Sequence, residues 1–257
     1  MNARMKRTNQ PMPNRPYLDA SVQWRINSGQ LSLEEPDYRS VVEAILSAGL
    51  ATEVVGLISA GKEANVYLAR YNGAPLAIKS YRLYRTSHRG GGPVKQDSMG
   101  WRAAHEYEMM RQAWKGGVRV PTPARRVENR FSMRYLGTDE GPAPRLKDVV
   151  LEDPKGFLDQ VLDVIRRLIG AGVVHGDLSA FNVLVHEGEP WVIDFSEAIR
   201  VDRAGSSPWV RLTEARAALE SGLAALQVYF RRYDLRIDIA ACANELVESL
   251  DRFGVLH

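Results

Sequence analysis

Short runs in the first half of the chain alternate between apolar and polar residues, which is typical of β-strands that bury one face. Three such runs cover residues 54–59, 64–70 and 75–81. The dipeptide Asn72-Gly73 separates the last two runs, and both of its residues tolerate a positive φ, so it predicts a tight hairpin. These runs together predict an antiparallel meander.

Apolar residues recur at helical spacing on both sides of this meander. They predict helices over residues 38–50 and 98–114, and strands near residues 125–127 and 131–135 follow the second helix. The first half is therefore expected to be a small sheet that carries one main helix.

The second half of the chain is predominantly helical. Asp153 and Pro154 begin a helix, because a capping carboxylate followed by proline is a typical helix start. This helix has so many apolar residues that we expect it to be buried nearly all round. The remaining predicted elements are strands over 182–186 and 190–195 and helices over about 212–230 and 237–253.

A loop rich in glycine and proline, residues 137–145, is predicted to be a hinge between two lobes. The chain is thus interpreted as an α+β fold. Its N-terminal lobe, residues 38–136, contains the antiparallel sheet and a flexible loop at about 82–98. A reduced and mostly helical C-terminal lobe covers residues 146–257. Residues 1–37 are expected to be flexible or extended, since polar segments that contain proline rarely fold.

The composition is that of an ordinary globular protein. Of 257 residues, 45% are hydrophobic and 25% are charged, and no stretch approaches the length of a membrane span. Cys242 is the only cysteine, which excludes a disulfide within one chain and fits a reducing compartment such as the cytoplasm. Its apolar neighbours predict a packed side chain. We expect no contact with a membrane.

Candidate catalytic residues lie in the segment 175–182 and shortly after it. Asp177 and Asn182 are five residues apart, and Asp194 follows a short apolar run. Phosphoryl transfer needs a carboxylate that orients the attacking group and oxygen ligands that hold magnesium against the phosphates. The spacing matches the His-x-Asp-x-x-x-x-Asn and Asp-Phe-Gly pattern of protein kinases. It therefore predicts a kinase-like site with Asp177 as catalytic residue and with Asn182 and Asp194 as metal ligands.

A phosphate loop and a lysine are expected upstream of these residues. The kinase loop pattern Gly-x-Gly-x-x-Gly-x-Val, counted back from Val66, retains only Gly61 of its three glycines. Alone this match is weak, but Lys79 ends the run Ala-Ile-Lys on the third strand. A kinase places there the lysine that contacts the α- and β-phosphates.

This lysine needs a carboxylate partner on the following helix, and two glutamates are available. Glu106 shares its helix face with Ala103 and Met110, which is the apolar and inward face. Glu108 points about 200° away, at about 100° per residue, and is the alternative. We predict that Glu106 is the partner.

Three motifs in this order resemble the RIO family of atypical serine/threonine protein kinases: SAGKEANVY at residues 59–67, PAPRLKD at 142–148 and HGDLS at 175–179. The form of the first motif points to the branch without an N-terminal winged helix, and to a bacterial-type member. The resemblance implies a serine/threonine kinase or ATPase that uses ATP and Mg²⁺, with Mn²⁺ as a further candidate. It also implies a two-lobed protein-kinase-like fold with a reduced C-terminal lobe, and no Ala-Pro-Glu motif follows Asp194.

Site residues follow from the resemblance and from the positions above. In such proteins the aspartate that matches Asp194 accepts phosphate transiently, so a phospho-aspartate is an open mechanism here. Candidate catalytic residues are Lys79, Asp177 and Asp194. Candidate nucleotide-binding residues are Ser59, Gly61, Lys62, Glu63, Val66, Lys79, Glu106, Met133 and Tyr135.

Two departures from known patterns are visible. The family's Glu-Tyr before the metal-binding asparagine is Ala180-Phe181 here, which is expected to alter substrate contacts and leave the chemistry intact. Gly176 stands where ordinary kinases carry an arginine that reads a phosphorylated activation segment. Its presence argues against that mode of control.

Partners are less defined. The chain has a formal net charge of +3, and the loop 82–98 is basic. Relatives act in the maturation of the small ribosomal subunit, so contact of this loop with ribosomal RNA is one hypothesis, and a solvated loop is the other. The protein substrate is unknown.

Two other functions remain open at this point. One is a small-molecule kinase of the aminoglycoside or choline type, which shares the His-Gly-Asp-Leu loop but usually carries a larger helical lobe. The other is an assembly factor that uses ATP to switch its binding state.

Overall fold

The computed structural model describes residues 24–25, 28, 33–34, 37–86, 95–201 and 208–252. Most of the N-terminal segment 1–37 and the centre of the loop 82–98 lie outside the described residues, so the predictions for them are not addressed by the structure.

A five-stranded antiparallel sheet forms the N-terminal lobe, with strand order β1-β2-β3-β7-β6. The predicted meander is its first half. Asn72 and Gly73 both adopt positive φ at the β2–β3 turn, as expected. The elements are α1 (Tyr38–Ser47), β1 (Glu53–Ala60), β2 (Ala64–Tyr71), β3 (Ala74–Tyr81), β4 (Leu83–Thr86), β5 (Lys95–Ser98), α2 (Gly100–Lys115), β6 (Pro123–Val127) and β7 (Arg130–Arg134).

The two faces of this sheet pack against different parts of the protein. Tyr67 and Ile78 point to one face, where they form a small core with Val41 and Ile45 of α1. Lys79 pairs with Val66 on β2 and Phe131 on β7, so these side chains share the other face. That second face looks toward α2 and the main core, which contains Phe131.

Helices and short hairpins build the C-terminal lobe. α3 is held at its start by Asp153, which accepts a hydrogen bond from Gly156 N at 2.9 Å, with Pro154 at the first position. The elements are β8 (Gly137–Thr138), β9 (Gly141–Pro142), a 3₁₀ turn (Leu146–Asp148), α3 (Pro154–Gly170), β10 (Val173–Val174), β11 (Val183–His186), β12 (Glu189–Val192), β13 (Ile199–Arg200), α4 (Pro208–Phe230), a 3₁₀ turn (Arg231–Tyr233) and α5 (Ile239–Arg252).

The expectation that α3 is buried nearly all round is wrong. One face packs in the core, but a charged stripe faces the solvent, with ion pairs from Lys155 to Asp159 and from Arg167 to Asp163. Both pairs have i, i+4 spacing, so the charged residues that the apolar count overlooked align on one side of the helix.

Two segments that are predicted to be loops contain strands. β4 and β5 pair at the ends of the loop 82–98, and β8 pairs with β9 inside the segment 137–145. Tyr84 of β4 is buried, so the β4–β5 hairpin packs against the core. The many charged residues around Tyr84 in the sequence gave no indication of this. Cys242 is buried as predicted. Within the described residues no helix is both long and apolar enough to cross a membrane.

Candidate active site

Lys79 lies between two carboxylates, one from each lobe. Its Nζ donates to Glu106 Oε1 at 2.8 Å and to Asp194 Oδ1 at 3.0 Å. β3 supplies the lysine, α2 supplies Glu106, and Asp194 follows β12. Burial lowers the pKa of Lys79, but the two carboxylates outweigh burial and raise it above its ordinary value. The lysine is therefore charged and fixed between the lobes.

Glu106 is the partner of Lys79, and Glu108 is not. Glu108 lies on the outer face of α2, where it pairs with Arg111. Glu106 accepts hydrogen bonds from Lys79, from the Tyr81 hydroxyl and from Phe195 N. Burial raises the pKa of Glu106 above its ordinary value, and the opposing effects of Lys79 and Tyr81 offset this only in part. We assign the ionised form, because three donors converge on one carboxylate that has only acceptors to offer them.

Asp194 sits in a strained turn. Its φ is +67°, a left-handed conformation that non-glycine residues seldom adopt and that often marks functional sites. Burial acts to raise its pKa, but the Lys79 ammonium and Ser196 lower it to about 2. The stability that this carboxylate contributes is complete above its ordinary pKa near 3.8 and is lost as the pH falls through about 2. Asp194 is thus ionised at any physiological pH.

Asp177 and Asn182 are in direct contact. Asn182 Nδ2 donates to the Asp177 carbonyl oxygen at 2.8 Å and to Asp177 Oδ2 at 3.0 Å. Asn182 is buried, whereas Asp177 is exposed. The amide nitrogen is engaged by Asp177, which leaves the amide oxygen as the atom that can bind a cation.

His175 holds the loop that carries Asp177 through contacts with two backbone groups. Its Nε2 lies 2.9 Å from the Ile193 carbonyl oxygen, and its Nδ1 accepts from Asp177 N at 3.4 Å. These contacts require a neutral ring with the proton on Nε2, and burial lowers the pKa of His175 accordingly. Ile193 N also donates to the Asn182 carbonyl oxygen at 3.0 Å. The loop with Asp177 and the strand before Asp194 are therefore tied together.

Gly176 has a structural reason to be glycine. Its φ is +83°, and a Cβ built at this position would lie 2.0 Å from the Glu197 carbonyl oxygen. No side chain fits there, so the arginine of ordinary kinases has no equivalent in this turn. The close approach packs the catalytic loop against the segment that follows Asp194.

Gly176→Ala is expected to lower the free energy of unfolding by about 3 kcal/mol or more, because backbone strain and a backbone clash act together. Gly188→Ala is the matched control: Gly188 also has positive φ (+74°) but has open space around it, so about 1–2 kcal/mol of strain is expected. Chemical denaturation of both variants measures the difference. Equal losses would contradict the close approach to Glu197.

The predicted phosphate loop is the β1–β2 turn. Ser59 pairs with Val66 across the two strands, and Gly61 N donates to the Ala64 carbonyl oxygen at 2.9 Å. Arg82 braces the turn from the side, since its Nη2 donates to the Gly61 carbonyl oxygen at 2.8 Å. A Cβ at Gly61 would lie 2.6 Å from that Ala64 oxygen, which explains why this one glycine of the kinase pattern is retained.

The remaining predicted nucleotide-binding residues are less convergent. Lys62 is exposed at the tip of the turn, and Glu63 pairs with Arg102 at 2.6 Å. Met133 pairs with Ala77 on the same sheet face as Lys79. Tyr135 is buried beside Gly137, and its hydroxyl finds no hydrogen-bond partner among the described residues. Met133 therefore shares a surface with the central lysine.

The donors present suit a hard cation that also binds phosphate. No group of three or more His, Cys, Asp or Glu side chains that could hold a metal occurs in the described part of the chain. Magnesium, however, is commonly held by one or two protein oxygens together with substrate phosphates and water. The Asp194 carboxylate and the Asn182 amide oxygen fit that requirement.

Four residues near the site were not singled out from the sequence: Tyr81, Arg102, His105 and Glu197. Tyr81 lies two residues after Lys79 on β3 and hence on the same face, and Arg102 lies one helical turn before Glu106. His105 Nε2 is 2.9 Å from the Ala198 carbonyl oxygen, and Arg102 also pairs with Glu197. The sequence could have indicated Tyr81 by its spacing of two residues from Lys79, and Arg102 by its spacing of four residues from Glu106. No pattern in the sequence indicates which residues Tyr81 and Arg102 contact.

The known proteins that this chain resembles share one family description. The family model described as RIO domain matches residues 65–234. The RIO-type serine/threonine-protein kinase Rio1 of Haloferax volcanii is 34% identical over 171 residues, which is 61% of this chain and 59% of the relative. The serine/threonine-protein kinase RIO1 of Caenorhabditis elegans is 32% identical over 245 residues, 86% of this chain and 48% of the relative. The chain thus spans about half the length of these relatives.

Solved structures give the same fold. The Rio2 kinase from Chaetomium thermophilum, in its ADP/Mg²⁺-phosphoaspartate complex, superimposes with a TM-score of 0.58 at 18% identity, covering 91% of this chain and 79% of that chain. Another crystal structure of this kinase gives 0.60 at 18% identity, with 91% and 85% coverage. The predicted two-lobed, kinase-like α+β class is confirmed.

Proposed function

Because this chain belongs to the RIO domain family, we propose that it is an ATP- and Mg²⁺-dependent phosphotransferase of the RIO type, a serine/threonine protein kinase or an ATPase. One observation carries the proposal: Lys79 of the sheet is paired with both Glu106 and Asp194, and the Asp177–Asn182 pair is tied to the strand before Asp194. This arrangement provides a cation for phosphate, two oxygen donors for magnesium and a carboxylate for the attacking group.

Each residue has a defined part in the proposed reaction. Lys79 binds the phosphates of ATP, and the β1–β2 turn with Ser59, Gly61 and Val66 covers them. Asn182 and Asp194 would hold Mg²⁺, which supplies charge neutralisation at the phosphates. Asp177 orients the attacking hydroxyl or water and accepts its proton.

Further nucleotide contacts belong to the proposal as well. Met133 and Tyr135 lie on or after β7, next to the segment 137–145, and are proposed to border the adenine. Lys62 and Glu63 belong to the phosphate loop, although Glu63 is already paired with Arg102. Mn²⁺ is a candidate substitute for Mg²⁺, since both prefer oxygen ligands.

A phospho-aspartate at Asp194 is the proposed intermediate. An oxygen of the Asp194 carboxylate forms a bond to the γ-phosphorus, the bond from that phosphorus to the β–γ bridging oxygen breaks, and ADP leaves with the electron pair. Water or a hydroxyl group then attacks the phosphorus of the acyl phosphate and gives up its proton to Asp177. The bond from this phosphorus to the Asp194 oxygen breaks, and Asp194 is released as a carboxylate. The Rio2 kinase of Chaetomium thermophilum was crystallised as a phosphoaspartate complex, which supports the same route here.

Incubation with γ-labelled ATP and Mg²⁺ tests the proposal. We expect release of labelled phosphate and a transient label on the protein that hydroxylamine removes, because acyl phosphates react with this nucleophile and serine phosphates do not. Omission of Mg²⁺ should abolish both signals. Absence of ATP turnover with every divalent cation tested would overturn the proposed function. A hydroxylamine-resistant label would place the phosphate on serine or threonine instead of on Asp194.

The small-molecule kinase alternative is not favoured, because the RIO family model spans both the Asp177 and the Asp194 motifs. The ATP-switched assembly factor, the location in the cytoplasm and the contact of the loop 82–98 with ribosomal RNA stay predictions.

A further inference from the structure

A single buried arginine contacts carboxylates from two separate segments at the edge of the proposed site. The Arg102 side chain is only 7% exposed. Its Nε lies 2.6 Å from Glu63 Oε2, an ion-pair distance, although this nitrogen makes no hydrogen bond among the described residues. Its Nη2 donates to Glu197 Oε1. One guanidinium on α2 thus holds two acidic side chains at once.

The two partners belong to parts of the molecule that must act together. Glu63 lies in the β1–β2 turn, and its carbonyl oxygen accepts from Arg82 N at 2.8 Å. Glu197 follows Asp194 by three residues, and its backbone packs against Gly176 of the catalytic loop. The link through Arg102 therefore runs from the proposed phosphate loop, across α2, to the turn that carries Asp194.

The chemistry of this contact requires arginine. A buried cation without partners would be strongly disfavoured, and two carboxylates compensate for the burial of this one. A planar guanidinium presents several N–H groups in fixed directions, so it can serve two acceptors, whereas an ammonium is a single point of charge. Loss of either carboxylate still leaves one ion pair, so each can be removed without exposing an uncompensated buried charge.

We propose that Arg102 is a positioning residue that couples the phosphate loop to the Asp194 turn through Glu63 and Glu197. The coupling rests on the proposed function and deepens it, because it assigns the closure of the site over ATP to a residue that touches no reacting atom. Loss of Glu63 frees the loop that covers the phosphates, and loss of Glu197 frees the turn that bears Asp194. The Arg102–Glu63 contact and the Arg102–Glu197 contact therefore affect different kinetic constants.

Steady-state kinetics of ATP turnover separate the effects of these two contacts. Glu63→Gln is expected to raise KM for ATP at least about fivefold with kcat nearly unchanged, and Glu197→Gln to lower kcat at least about fivefold with a smaller change in KM. Arg102→Met should do both. Added to Glu63→Gln, Arg102→Met should raise KM no further, and added to Glu197→Gln it should lower kcat no further, because each ion pair acts as one unit.

Matched controls separate coupling from stability. Glu108→Gln removes a carboxylate from the same helix, but its partner is the exposed Arg111, so kinetics and thermal unfolding should stay at wild-type values. Arg102→Lys keeps the charge and loses the fork, and should fall between wild type and Arg102→Met. If Glu63→Gln and Glu197→Gln, with wild-type unfolding temperatures, also leave KM and kcat at wild-type values, Arg102 is structural only and the proposal is overturned.

Hydrogen exchange gives a readout without nucleotide. Arg102→Met is expected to speed amide exchange both in residues 61–63 and in residues 194–198, whereas Glu108→Gln should change neither segment. A wild-type protein that turns over no ATP would remove the proposed function and, with it, the role assigned to Arg102. Unchanged exchange in both segments, with wild-type turnover intact, would contradict the coupling alone.

Discussion

Asp194→Asn is expected to lower ATP turnover by on the order of 1000-fold and to abolish any hydroxylamine-sensitive label. The substitution keeps the shape of the side chain, but it removes the charge that holds Mg²⁺ and the oxygen that would accept phosphate. Lys79 keeps its pair with Glu106, so the fold should survive. Nucleotide affinity with Mg²⁺ present should weaken at least about tenfold, and affinity without Mg²⁺ should change little.

Titration of ADP with and without Mg²⁺, combined with the labelling assay, measures both effects. Asp163→Asn is the control, because Asp163 is a partly exposed carboxylate that pairs with Arg167 on the outer face of α3. A hydroxylamine-sensitive label that persists in Asp194→Asn would place the acyl phosphate on another residue. Equal loss of ADP affinity with and without Mg²⁺ would argue against Asp194 as a metal ligand.

Asp177→Asn should lower turnover at least about 100-fold while nucleotide affinity stays within about threefold of the wild type. Asp177 is exposed and contacts Asn182, so an amide there preserves the outline of the loop but cannot take a proton. The effect should therefore fall on kcat and not on KM.

Rapid-quench measurement of a single turnover at saturating ATP distinguishes the step that is lost. Asp163→Asn again serves as control, and both variants should unfold at the wild-type temperature within a few degrees. A variant that loses ADP affinity in proportion to turnover would show that Asp177 mainly shapes the binding site, which contradicts a role as general base.

The anchoring of α2 bears on how such an activity is controlled. Arg102, His105 and Glu106 all contact the segment from Phe195 to Ala198. The lysine–glutamate pair that many kinases form only after phosphorylation of an activation segment is therefore already present in this structure. Gly176, which has no room for a side chain, removes the arginine that would read such a phosphate.

The choice between Glu106 and Glu108 shows how far periodicity reaches. An inward helix face follows from the spacing of apolar residues, and Glu106 shares that face with Ala103 and Met110, all of which are buried. The spacing could not reveal that Tyr81 would donate to the same carboxylate. That contact depends on the distance between β3 and α2, which is set by packing between elements far apart in the chain.

The amino-acid sequence by itself determined the meander, the helix starts at Tyr38 and Pro154, and the spacing of Asp177, Asn182, Lys79 and Asp194, because these depend on local backbone preferences and on short-range periodicity. Only the tertiary structure decided the contact of Tyr81 with Glu106 and the shared contacts of Arg102 with Glu63 and Glu197. Those features arise when segments separated by tens of residues pack together and buried charges select partners, and no local pattern encodes that selection.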